Sequence, residues 1–132
     1  MKDFKSTIEY EGQKLDLVFD LNVMQQIQQH YGSLEHWGEL TSPDPEQILD
    51  ADGNVIGEKQ KEPDINAFLF GFTEMLNEGV DMANEADGGH RPFFSQRQVG
   101  RIISTVGMAM ASEKLKDVVV GSTDTGADAK NA

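Results

Sequence analysis

Along the first 20 residues, hydrophobic positions recur at every second place. Ile8 and Tyr10 alternate with polar neighbours, and beyond Glu11-Gly12 the alternation resumes at Leu15, Leu17 and Phe19. Period two around a glycine-bearing break predicts a β-hairpin over residues 5–20. Two strands alone are marginal in water, so their apolar face requires cover from the rest of the chain. From Asp20, a good N-cap residue, the period lengthens. Val23, Met24, Ile27 and Tyr31 fall at helical spacing, and Gly32 is placed to stop the helix. Ser33 then caps a shorter helical turn that sets Leu34, Trp37 and Leu40 on one side.

Periodicity is lost over residues 41–64. Pro43, Pro45 and Pro63 punctuate the segment, and residues 48–56 read either as a small hairpin turning at Asp52-Gly53 or as a mobile loop. In both cases 41–63 is a surface insertion between helices that could join without it. Asp64 caps the strongest helical pattern in the chain, a stripe through Ile65, Phe68, Leu69, Phe72, Met75, Leu76, Val80 and Ala83. Gly71 and Gly79 interrupt it, each at about 1 kcal/mol relative to alanine. Asp87-Gly88-Gly89 closes that helix, and Ser95 opens a third long one. Its apolar face is Val99, Ile102, Ile103, Val106 and Met110, extended by Leu115, Val118 and Val119.

Residues 121–132 are polar and have no means of building a core, which predicts a disordered tail. The fold class expected is α+β: one mainly α-helical small domain over residues 1–120, its N-terminal β-hairpin packed on about three helices.

Charge narrows the range of partners. The 132 residues hold 23 acids and 11 bases, a net charge of −12. Up to Asn66 there are 14 acids and 5 bases (−9), and after it 9 and 6 (−3). Such a surface repels phosphate backbones, attracts basic partners and discourages self-association, leaving at most a weak homo-oligomer and no nucleic acid as a partner. There are no cysteines, and so no disulfides, zinc–thiolate sites or thiol chemistry. The first residues lack the apolar run of a signal peptide, and no stretch approaches the length of a membrane span, so a cytoplasmic location is expected.

Candidate chemistry is sparse. Asp50-Ala51-Asp52-Gly53-Asn54 suggests a calcium loop, yet placing either Gly53 or Gly57 at the sixth position puts Ile48 first or Pro63 twelfth, and neither can ligate. His30 and His36 are six apart across a glycine break, which is not the spacing of a helical metal pair. Hydrolase and phosphate-loop signatures are missing. No catalytic residue, metal ligand or cofactor is assigned, and a protein that is not an enzyme is expected. Two features carry a binding reading. Arg97 and Arg101, one turn apart with Arg91 upstream, form a basic patch that either pairs internally with the acidic helix before it or meets a partner. Phe93 and Phe94, after Pro92, either plug the core or anchor a partner.

Three stretches carry a resemblance. The segment from Phe19 through Asn22, Tyr31, Gly32, Ser33, Leu34 to Glu35, the run Met75-Leu76-Asn77-Glu78-Gly79-Val80-Asp81, and Pro92-Phe93-Phe94-Ser95 continuing to Ile103 resemble tail assembly chaperones of long-tailed phages and prophages, over about residues 8–120. The resemblance implies a non-enzymatic factor of the host cell cytoplasm, absent from the finished virion. Such a factor coats the tape measure protein and recruits tail tube protein around it. Surface residues of the first two helices and the Arg97/Arg101 patch are the contacts expected. Many such proteins also have a longer form made by ribosomal frameshifting, and Lys130-Asn131 is compatible with a slippery codon pair. The competing expectations are a structural virion component, such as a head–tail connector or minor tail protein, and an acidic protein-binding regulator.

Overall fold

A computed structural model of the protein describes residues 4–131, with side chains through residue 121. Among the described residues it contains five helices and two separate two-stranded antiparallel sheets, an α+β fold.

The first hairpin forms where the alternation placed it. Strand β1 (Lys5–Tyr10) pairs with β2 (Gln13–Val18), with Ser6 opposite Leu17 and Ile8 opposite Leu15. Glu11 and Gly12 both take positive φ, 51° and 78°. That is the pair of conformations a two-residue turn needs to match strand twist. The hairpin runs into α1 (Leu21–Tyr31), where the Asp20 side chain accepts from the Val23 N–H, and then into α2 (Leu34–Thr41), where Ser33 does the same for His36. Strands β3 (Glu46–Leu49) and β4 (Val55–Lys59) make the second hairpin, so the excursion is an ordered ribbon.

Helix α3 (Ile65–Asp87), capped by Asp64, packs against β2, α1, α2 and the following helix. Phe68, Phe72, Met75 and Leu76 of its stripe are fully buried, whereas Ile65 at its head is exposed. Sequence periodicity predicted one long helix after it, and the structure corrects this. Helix α4 (Gln96–Val106) ends at Gly107, and α5 (Met108–Asn131) starts in a new direction. Gly107 has φ 97°, a conformation that side-chain-bearing residues rarely adopt, so the break sits where only glycine is comfortable. One consequence is that Met110, expected on the buried face, is 46% exposed, while Ala111, Leu115 and Val118 turn inward to cover β1 and β2. The expectation of a disordered tail at 121–132 falls on the distal part of α5, where the side chains lie outside the described residues.

Trp37 organises the core. Its ring stacks on Phe19 with centroids 6.0 Å apart, and its Nε1–H donates to the Ala67 carbonyl at 3.0 Å. The ring lies flat against Gly71, where an added Cβ would stand 2.3 Å from Trp37 Cζ2. Gly79 plays the same part for the hairpin, since a Cβ there would come within 2.7 Å of the Asp16 carbonyl oxygen. Both glycines cost helix propensity, and in return they let an indole and a β-strand approach the α3 backbone.

Candidate functional site

Three surface features carry chemistry: the β3–β4 ribbon, a groove between α1 and α3, and the loop that joins α3 to α4.

The ribbon projects as an arm. Its base is closed by one hydrogen bond, the Asp64 N–H donating to the Leu40 carbonyl at 2.8 Å. Its tip is organised by Asp50, whose carboxylate accepts from the backbone N–H groups of Asp52 and Asn54, both at 2.9 Å. Those bonds, led by that from Asn54, hold Asp50 below the usual carboxylate range. The acidic turn that suggests calcium in the sequence is thus occupied in shaping its own backbone, and among the described residues no cluster of three or more His, Asp or Glu side chains is arranged to hold a metal. Among the described residues no other element packs closely on the arm. Ile48, Leu49, Val55 and Ile56 consequently lie in solvent, 44%, 54%, 54% and 65% exposed.

The groove, about 320 Å³, is lined by Asn22 and Gln26 from α1 and by Glu74, Glu78 and Asp81 from α3, with Phe93 on its rim. The Asn22 side-chain amide donates to Glu78 Oε2 at 2.9 Å. A hydrogen bond with the Asp20 carboxyl, and then burial, push Glu78 up to about 7. The same Asp20 carboxylate serves as the α1 cap, so the hydrogen bond to Glu78 ties the start of that helix to α3. Burial alone raises Glu74.

The connecting loop is held by two asparagines on α3, two turns apart. Asn77 donates to the Phe94 carbonyl (3.0 Å) and accepts from the Phe94 N–H (2.7 Å). Asn84 makes the same two-way contact with the backbone of Arg91, at 3.1 and 3.0 Å. This clamp divides the two phenylalanines. Phe94 packs half-buried against the core, and Phe93 points out, 58% exposed.

The three arginines divide as well. Arg91 Nη2 lies 2.6 Å from Asp87 Oδ2, and that hydrogen bond holds Asp87 at about 2. Arg97 and Arg101 are exposed on α4, and among the described residues neither forms an ion pair with α3. The histidines are separate. His30 stacks on Phe70 at 4.3 Å, and His36 sits 3.9 Å from Glu39.

Sequence reasoning found Phe93, Phe94, Arg97 and Arg101 but not the groove or the clamp. The available signal was the polar flank of α3, where Asn77 and Asn84 recur at a spacing of seven. Among the described residues no helix is long and apolar enough to cross a membrane. No family model matches the chain, and no curated protein or solved structure does.

Proposed function

We propose that the protein is a non-enzymatic assembly chaperone of a long-tailed phage or prophage, acting in the host cytoplasm. In this reading it binds the tape measure protein and tail tube protein while the tail is being built. The observation that carries the proposal is the arm: four large apolar side chains held in solvent by an ordered ribbon on a domain of net charge −12. A partner with exposed apolar stripes gains cover from such an element, while the charge of the body keeps loaded copies apart. Phe93 beside the acidic groove offers a second apolar contact, and Arg97 and Arg101 supply the opposite charge on α4.

The test is co-expression with the long helical product encoded beside this gene, followed by soluble pull-down. A partner that is insoluble alone and co-purifies in the presence of this protein supports the proposal. A partner that is soluble alone and forms no complex removes it. Stoichiometric recovery of this protein from purified particles would instead make it a virion component.

A further inference from the structure

We propose that the β3–β4 arm is a strand-addition site for an extended segment of another protein in which basic and apolar residues alternate. The inference rests on reading the arm as a binding element, but not on which partners it meets in the cell.

The backbone supplies the first reason. β3 and β4 pair only with each other, so the outer edge of each presents N–H and C=O groups that no other strand takes up among the described residues. A free-standing two-stranded ribbon is marginal in water, and a third strand is the ordinary way to stabilise one. The side chains supply the second. Ile48 and Leu49 on one strand and Val55 and Ile56 on the other bring apolar groups to the same end of the ribbon, near Asp50. A strand with apolar residues at alternate positions would cover one face of that group while it completes the ladder.

Charge selects the occupant. Residues 42–63 carry six acids and two lysines, a net −4. Pairing two arms from two copies would bring −4 against −4, on chains of net −12 each. The short strands and the register shift between Ile48 and Leu49 are further features that hinder edge-to-edge self-pairing. A basic strand meets the same edge with attraction in place of repulsion, which raises its rate of encounter and sets it apart from neutral or acidic segments.

The test uses the full chain and two short synthetic peptides, one alternating lysine with valine and the other glutamate with valine. Binding is read by fluorescence anisotropy at low and moderate salt, and the site is mapped by amide hydrogen exchange. The lysine peptide should bind at least about tenfold more tightly than the glutamate peptide, and more weakly as salt rises. It should slow exchange within residues 46–49 or 55–59. The double variant Ile48→Thr/Ile56→Thr keeps β-branched residues, and with them the ribbon, but should lose most of the binding.

Equal affinity for the two peptides, no binding of the lysine peptide, protection confined to the α1–α3 groove, or binding untouched by the double variant would each overturn the proposal. So would sedimentation showing that the arm is occupied by a second copy. The two readings fail separately. A tape measure complex that forms while the lysine peptide fails to bind the arm removes the strand site and leaves the chaperone, whereas peptide binding at the arm without any tail complex does the reverse.

Discussion

Replacing Gly71 with alanine sets two effects against each other. In a helix interior alanine is better than glycine by about 1 kcal/mol, so propensity alone predicts stabilisation. The structure predicts the opposite. The new Cβ would stand 2.3 Å from Trp37 Cζ2, 2.9 Å from Cε2 and 3.0 Å from Nε1, well inside the ~3.5 Å at which carbon atoms come into favourable contact. The ring has nowhere to go: Trp37 is 1% exposed, stacked on Phe19 and tied through Nε1 to the Ala67 carbonyl. Overpacking of this kind costs roughly 1–3 kcal/mol, and the severe overlap places it at or above the top of that range. After the propensity gain, a net loss of about 2 kcal/mol is expected. Gly100→Ala is the matched control. It too lies inside a helix, but its Cβ would meet only Leu69 Cδ2 at 4.0 Å, so it should gain about 0.5–1 kcal/mol. Urea unfolding followed by far-UV circular dichroism reads both, and avoids a fluorescence signal that the substitution itself alters. Opposite signs are the prediction. If Gly71→Ala is neutral or stabilising, the indole does not rest on the α3 backbone and the account of the core is wrong.

Three other variants test the surface. In the unfolded chain Glu78 ionises near 4.5, while in the fold it keeps its proton to about 7. Stability should therefore fall as pH rises from about 4.5 to about 7. The ceiling on that fall is about 3 kcal/mol, reduced by solvent at the groove mouth to about 1. Glu78→Gln should flatten that part of the pH profile and be the more stable protein at pH 8; an unchanged slope would show that the Asp20–Glu78 contact carries no proton. Asn77→Ala leaves two backbone groups of Phe94 without partners and should cost about 2 kcal/mol. The check is a lower urea midpoint together with faster amide exchange at Phe94, and a silent variant would mean that the loop holds its own shape. Arg97→Glu with Arg101→Glu should leave stability within about 0.5 kcal/mol, because both side chains are exposed. Weakened capture of the proposed tape measure partner is expected in pull-down, and capture at the original level would take the patch out of the proposed interface.

The starts of α1 to α4 were legible because each cap is a local event. Asp20, Ser33, Asp64 and Ser95 all accept from the N–H three residues on, as their residue types and neighbours predict. The first hairpin was legible from its alternation around Glu11-Gly12, whereas Asp52-Gly53 left a hairpin and a mobile loop both open until the β3–β4 pairing decided between them. What escaped is non-local. Gly71 and Gly79 read as weak points of α3, since nothing in the sequence says that an indole and a strand carbonyl arrive from positions 37 and 16. Gly107 sits within an unbroken apolar period, and only its φ shows that the helix stops there. The groove depends on Asn22 meeting Glu78 across 56 residues, and the different fates of Phe93 and Phe94 depend on Asn77, 17 residues before the second of them.

The closed base of the arm has a mechanical meaning. Both chains of the ribbon leave the body at one point, where Leu40 and Asp64 are joined by a single 2.8 Å hydrogen bond. A pull on the ribbon would be divided between two strands running side by side, and it would reach that bond before the seat of Trp37. Load applied to the ribbon would thus meet the body at its rim, away from the stacked rings of the core. The same residue carries the load onward, because the Asp64 side chain also holds the Ala67 N–H at 2.9 Å. The next contact in line is therefore the cap of the central helix.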